Sequence, residues 1–262
     1  MSAPVVANER MLFDLSGLTA LVTGGGRGLG LAIARGFAAH GATVVIAGRS
    51  EMTLDEAVRG LRELSPGSAA HPVDVAREDS ILALDTWIAD RFGRLDILVN
   101  NAGINPYYRS AEQTPLSEWQ EVIDINLTGV FLCCRIFGAR MLAQGSGSII
   151  NVSSVAGHVG IAKTAAYCAA KGGVELMTRS LALDWAGKGV RVNTIAPGYF
   201  ETDLTAGVRE HPVLADRVRA KTPIGRFGTP GELVGAAVFL ASPASSYVTG
   251  QSVIVDGGWT AA

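Results

Sequence analysis

The stretch Leu18-Thr19-Ala20-Leu21-Val22-Thr23-Gly24-Gly25-Gly26-Arg27-Gly28-Leu29-Gly30 decides the fold. Leu18–Thr23 has the composition of a buried strand, and Leu29, Ile33 and Phe37 recur at four-residue spacing over Leu29–Ala39, the period of a helix with one apolar face. Between them, glycines let the backbone approach a pyrophosphate, and the amides of the helix's first turn point at it. Gly24, Arg27, Gly28, Leu29 and Gly30 are therefore candidate dinucleotide-binding residues. A tight strand-to-helix turn also needs glycine for structural reasons alone. The spacing here is G-x-x-x-G-x-G, not G-x-G-x-x-G, so the reading rests on position and context.

Outward from this unit the same rhythm continues. Thr43–Ala47, His71–Val73, Ile97–Asn100, Ser148–Val152, Arg191–Ile195 and Ser252–Val255 read as further strands, making seven with the first. Several are apolar on both faces, as in a parallel sheet covered on each side. Ser80–Phe92, Leu116–Leu142, Ala165–Trp185 and Gly231–Leu240 read as helices. Strand followed by helix, repeated, predicts a doubly wound α/β sheet with right-handed crossovers. No composition break marks a second domain, so residues 1–262 are expected to form one. Residues 198–229 interrupt the rhythm as a long Pro- and Gly-containing insertion, either a substrate loop or a surface excursion with short helices.

Composition excludes several classes. With 48% apolar and 18% charged residues the chain has ample core material. Its 22 basic and 24 acidic side chains leave a net charge of −2 without long blocks of either sign, which argues against nucleic acid or an anionic membrane as partner. Cys133, Cys134 and Cys168 have no metal-ligand spacing, so no metal is expected, and they fit a reducing cytoplasm. Met1–Arg10 has no apolar run of signal-peptide length, and no uninterrupted apolar run approaches the ~20 residues that span a bilayer. A cytoplasmic protein is expected.

The second strand ends in Ala47-Gly48-Arg49-Ser50. An acid at this point would bind the ribose hydroxyls of NAD, whereas an arginine accommodates the 2′-phosphate of NADP. Arg49 and Ser50 therefore favour NADP(H), with NAD(H) possible. Arg27 adds a second guanidinium suited to phosphate. Both arginines could instead be solvated loop residues.

Tyr167 and Lys171 stand four apart in a helical stretch, so their side chains share a face. A free tyrosine, with a pKa of ~10, is only ~0.1% ionised at pH 7, and a neighbouring ammonium stabilises its phenolate. Such a pair also arises by chance on solvated helices. Asn151-Val152-Ser153-Ser154 at the end of the fifth strand strengthens it, because ligands of open parallel sheets bind outside the strands' carboxyl ends.

These residues resemble the short-chain dehydrogenases/reductases over nearly the whole chain. The match comprises Thr23-Gly24-x-x-x-Gly28-x-Gly30, Asp74-Val75, Asn100-Asn101-Ala102-Gly103, Asn126, Ser154, Tyr167-x-x-x-Lys171, and Pro197-Gly198 followed by Thr202. The resemblance implies a single-domain Rossmann fold and hydride transfer between a nicotinamide cofactor and a small alcohol or carbonyl substrate. Tyr167 becomes the acid–base catalyst and Ser154 orients the substrate oxygen, chosen over Ser153 by its spacing of thirteen from Tyr167. Lys171 holds the nicotinamide ribose and lowers the tyrosine pKa, and Asn126 anchors a water in the proton relay. Asp74 and Val75 contact the adenine, Asn101, Ala102 and Gly103 pass beneath the cofactor, and Phe200 and Thr202 close over its nicotinamide end beside Pro197 and Gly198.

A homotetramer is implied as well, consistent with the small residues Ala165, Ala166, Ala169, Ala170, Gly172 and Gly173. Within the family, Phe13–Gly17, Pro197–Phe200 and Thr222–Gly228 look most like gluconate 5-dehydrogenases, related sugar-acid enzymes and 3-oxoacyl reductases. Asn105–Arg109 departs from the paired arginines of gluconate enzymes. Tyr107, Arg109 and His158 are candidate substrate contacts, though a loop histidine and a solvated arginine are the simpler readings of two of them, and Tyr107 with Tyr108 could wall an apolar pocket. A nucleotide-sugar epimerase would resemble a longer chain, and a non-catalytic NADP sensor would be marked by a lost Ser, Tyr or Lys.

Overall fold

Strand β1 (Thr19–Thr23) is fully buried, and alternate residues serve opposite cores: Ala20 and Val22 join one, Leu21 the other. The same two-residue alternation runs through β2 (Thr43–Gly48), β4 (Ile97–Asn100), β5 (Gly147–Val152) and β6 (Val190–Pro197), while β3 (Ala69–Pro72) and β7 (Ser252–Val255) form the edges. The computed structural model describes residues 12–262; Met1–Arg10, expected to lack a signal sequence, lie outside them. All neighbouring strands are parallel in the order β3-β2-β1-β4-β5-β6-β7. The order reverses between β1 and β4, which opens a crevice at their carboxyl ends.

One face is covered by α1 (Gly28–Ala39), α2 (Glu51–Arg62) and α9 (Val234–Ala241), through Ile33, Phe37, Leu54, Leu61, Ala237 and Leu240. The other carries α3 (Glu78–Phe92), α5 (Gly129–Gln144) and α6 (Ala165–Trp185), through Ile81, Leu84, Phe137, Met141 and Val174. Fully buried side chains of this size contribute about 1.5–3 kcal/mol each. The two faces together make the doubly wound α/β sheet expected from the sequence.

Two helices differ from expectation. Helix α2 is missing from the elements read from the sequence, yet Leu54, Val58 and Leu61 form its buried stripe and Ser50 caps its N-terminus, accepting from the Thr53 amide at 3.3 Å. The helix expected over Leu116–Leu142 is divided into α4 (Leu116–Ile123), a π-turn at Asp124–Thr128, and α5. Asn126 in the π-turn donates to Val122 O at 3.0 Å, and a Cβ on Gly129 would lie 2.8 Å from Val75 O. The extra residue thus turns Asn126 inward and lets the helix pass close to the loop after β3. By length and composition the run Leu116–Gln144 could cross a membrane, but Val130, Cys133, Cys134, Phe137 and Met141 lie against the sheet.

The insertion 198–229 holds two short helices, α7 (Ala206–Arg209) and α8 (Pro212–Lys221). Val208, Ala215, Val218 and Phe227 give it a small core of its own, and a bridge between Phe200 and Gly228 closes its base.

Candidate active site

The glycine loop has the shape of a cradle. Gly24 and Gly28 have φ of +63° and +54°, and a Cβ on Gly30 would stand 2.3 Å from Gly24 O and 2.4 Å from Asn101 Nδ2. Asn101 pins the loop from β4: its amide donates to Thr23 Oγ1 at 3.0 Å, and Nδ2 donates to Thr23 O at 3.0 Å and Gly24 O at 3.1 Å. The Ala102 amide shares the Thr23 hydroxyl at 3.1 Å. No side chain caps α1 and no acid stands in its first turn, so the helix presents uncapped amides, as an anionic pyrophosphate requires. Thr202 leans over the loop, with Cγ2 3.6 Å from where a Gly28 Cβ would sit. These features fit a dinucleotide.

Arg49 is exposed at the end of β2, while Arg27 reaches across to Asp203 of the insertion at 3.0 Å. Both partners of that pair are largely solvated, so it contributes little stability. Asp74 stabilises its own turn, with Oδ1 accepting from the Ala76 amide at 3.1 Å, and Val75 is buried. Pro197 ends β6, and the Gly198 amide donates to Val255 O at 2.9 Å. Phe200 is buried against Gly228.

At the end of β5 the two serines separate. Ser153 is 3% exposed and its hydroxyl donates to Lys171 O at 3.3 Å. Ser154 has an extended backbone and is only partly buried, and its Oγ accepts the Ala156 amide at 3.1 Å. Tyr167 is half-buried in the first turn of α6, and Lys171 lies one turn on with Nζ 5.6 Å from the tyrosine ring centre. Nζ donates to Val152 O at 2.8 Å. A Cβ on Gly103 would be 3.7 Å from Nζ and 2.6 Å from Asn126 Oδ1. Gly103, Asn126, Ser154, Tyr167 and Lys171 therefore meet at the strand ends.

Burial pushes the Tyr167 phenol up to about 12, against a lowering interaction with Ser154. Burial pushes the Lys171 ammonium down to about 8, while Glu175 acts in the other direction. Burial thus keeps the Tyr167 phenol neutral in the apoprotein, while Lys171 remains an ammonium below about pH 8. A buried cationic site is a demanding environment that turns toward function when a partner is supplied. Asn126 is wholly buried, with both Nδ2 protons donated to Ile104 O at 2.8 Å and Val122 O at 3.0 Å, and Oδ1 accepting from the Ile104 amide at 2.9 Å. What it can still offer a water is a lone pair on Oδ1 or its main-chain carbonyl in the π-turn.

The three substrate candidates are more engaged than the sequence suggested. The Tyr107 hydroxyl donates to Glu121 and Arg109 pairs with Glu118 at 3.2 Å. Both line one small pocket of mixed polar and apolar surface with Tyr167, Asn105, Thr114 and Lys163. His158 turns away: its Nε2 lies 3.1 Å from Glu175 Oε1 and 3.1 Å from Ser252 Oγ. The charge and hydroxyl partners on α6 and β7 are distant in sequence, and this explains why spacing alone pointed His158 toward the substrate. Among the described residues no three His, Cys, Asp or Glu side chains converge as a metal site.

A parallel sheet with a glycine cradle at its switch point and a Ser, Tyr and Lys grouped beside it defines a nicotinamide-dinucleotide oxidoreductase. The family described as enoyl-(acyl carrier protein) reductase matches residues 24–260. The chain is 42% identical to galactitol 2-dehydrogenase (L-tagatose-forming) of Cereibacter sphaeroides, over 96% of this chain and 98% of that one. It is 43% identical to a 3-oxoacyl-[acyl-carrier-protein] reductase of Synechocystis, over 93% and 97%. Among solved structures, a gluconate 5-dehydrogenase from Burkholderia cenocepacia in complex with NADP and tartrate superposes with a TM-score of 0.94 at 39% identity, covering 97% of this chain and 100% of that one. The chain belongs to the short-chain dehydrogenase/reductase family. It is an NAD(P)-dependent oxidoreductase acting on CH–OH.

Proposed function

We propose that the protein interconverts a secondary alcohol and a ketone, preferring NADP(H), on a sugar acid, polyol or related keto compound. The observation that carries this is the convergence of Ser154, Tyr167 and Lys171 beside Gly103 at the end of β5. In oxidation, Ser154 Oγ donates to the substrate oxygen and Tyr167 Oη, as phenolate, takes the hydroxyl proton. The Lys171 ammonium stabilises that phenolate and binds the ribose of the cofactor. When bound, the oxidised nicotinamide supplies the hydride acceptor and a positive charge beside the phenol. Proton return runs from Tyr167 through Lys171 to a water at Asn126. In reduction each transfer reverses.

Gly24, Gly28, Leu29 and Gly30 hold the pyrophosphate through their backbone, with Asn101, Ala102 and Gly103 beneath. Asp74 and Val75 meet the adenine. Arg49, exposed and beside the α2 cap at Ser50, takes the 2′-phosphate, with Arg27 nearby. Pro197, Gly198, Phe200 and Thr202 close over the nicotinamide end, and residues 198–229 form the substrate loop of a single domain, 1–262. His158 is left out of the substrate contacts because its ring is held by Glu175.

The exposed Leu176 and Leu183 on α6 and Phe131 on α5 support a homotetramer that covers them. A cytoplasmic location fits the buried free thiols Cys133 and Cys134. Measuring kcat/KM with NADPH and NADH across gluconate, sugar alcohols, cyclic ketones and β-keto esters tests the proposal. Turnover of a polyol or sugar acid with an NADPH preference supports it, and exclusive use of NADH with a 3-oxoacyl substrate overturns it.

A further inference from the structure

A buried carboxylate stands one turn beyond Lys171 and has no part in the chemistry above. Glu175 is 5% exposed and Lys171 is 4% exposed. They are four residues apart on α6, so both side chains leave the helix on one face. The carboxylate is held from three directions. Thr194 Oγ1 of β6 donates to Oε2 at 2.9 Å, Ser252 Oγ of β7 donates to Oε1 at 3.2 Å, and His158 Nε2 lies 3.1 Å from Oε1. A buried acid is tolerated only when its oxygens are satisfied in this way.

Lys171 has good hydrogen bonding but poor charge balance. Val152 O and the Tyr167 ring are its close partners, and neither carries a full negative charge in the resting protein. From the loop after β4 comes Gly103, and from the π-turn Asn126, both uncharged. Tyr167 and Glu175 on its own helix are the titratable groups beside it, and His158 is the one that faces Glu175 from outside the helix. Tyr108, Cys168 and Tyr199 lie around the tyrosine end of the site.

We propose that Glu175 is a positioning residue for the reaction: it is the buried counter-charge that keeps Lys171 an ammonium, and Thr194, Ser252 and His158 hold it in place. The role rests on the reading of Tyr167 and Lys171 as the proton-handling pair. It gives His158 a role through Glu175 rather than on the substrate. The direction of the Glu175 effect on Lys171, opposite to that of burial, agrees.

The chain has four lysines, Lys163, Lys171, Lys188 and Lys221, so lysine labelled with carbon-13 at Cε can be titrated site by site by NMR, with Lys171→Met assigning the key signal. In Glu175→Gln the Lys171 midpoint should fall by about one unit or more, a tenfold or greater change in its proton affinity, while the other three stay fixed. Thr194→Val, which removes one donor to the carboxylate, should move it the same way by less. It also keeps the test intact if Glu175→Gln fails to fold. In kinetics the alkaline limb of kcat should move to lower pH in Glu175→Gln and return in Glu175→Asp, while KM for cofactor at pH 6 stays unchanged. An unmoved Lys171 midpoint in the folded variants, or a rate loss equal at every pH, overturns the proposal. The NMR titration needs no turnover, so this failure is separable from that of the catalytic reading, which Tyr167→Phe tests.

Discussion

Lys171→Met should make the cofactor-free protein more stable at pH 7. Burial holds the ammonium near a pKa of about 8 instead of 10.5, a depression worth about 3–4 kcal/mol at about 1.4 kcal/mol per unit. Removing Nζ also forfeits its 2.8 Å bond to Val152 O, about 1 kcal/mol, and methionine of similar length keeps the packing. The net gain is about 2–3 kcal/mol. The sign follows from linkage: with the folded pKa lowered, the unfolded chain binds the lysine proton more strongly between about 8 and 10.5. The wild-type penalty is therefore complete below pH 8 and fades as pH rises through that window. Urea unfolding of both proteins at pH 7 and pH 10 measures it, and the gap between them should narrow at the higher pH. A variant less stable than wild type at pH 7, or a gap independent of pH, refutes the claim that Lys171 is held against its desolvation.

Gly30→Ala must displace Gly24 O or Asn101 Nδ2, which stand 2.3 and 2.4 Å from the new Cβ. Calorimetry should show NADP(H) affinity reduced at least tenfold, with about 1–3 kcal/mol lost from stability. Arg49→Glu removes a charge-assisted phosphate contact worth about 1.5–3 kcal/mol, so kcat/KM with NADPH should drop about 10- to 100-fold while that with NADH holds; equal losses with both would remove Arg49 from the phosphate site. Because burial raises the Tyr167 phenol, alcohol oxidation should accelerate with pH across the neutral range and ketone reduction should not, and stopped-flow pH profiles in the two directions check this.

The sheet was legible because its signal is local: each strand is an apolar run, and Leu29, Ile33 and Phe37 spell one helix face within a single segment. Helix α2 is equally local, with Ser50 as cap and Leu54, Val58 and Leu61 as stripe, although it is not among the elements read from the sequence. The π-turn is different in kind. It answers to Ile104 and Val75, which meet Asn126 and Gly129 only in three dimensions. Ser154, Tyr167 and Lys171 could be named from their resemblance to the family motif, but the commitment of Ser153 to Lys171 O, which leaves Ser154 facing the site, could not.

Charged residues were the least legible. Arg27, Arg109 and His158 each read as available for ligand, and each meets an acid on another element: Asp203, Glu118 and Glu175. Nothing in spacing distinguishes a free guanidinium from one paired across 176 residues. The Arg27–Asp203 pair also ties the insertion 198–229 to the glycine loop, a link that the separate readings of the two segments did not contain. Glu175 gave no signal at all, because a single glutamate on a helix is ordinarily a solvated one.

The central claim is that Tyr167 moves the proton while the rest of the site binds and orients. Single-turnover oxidation by Tyr167→Phe, measured beside its NADP(H) dissociation constant, tests it most directly. The account predicts a rate lowered about 10²- to 10⁴-fold with cofactor affinity changed less than about threefold. A rate near that of the wild type would contradict it.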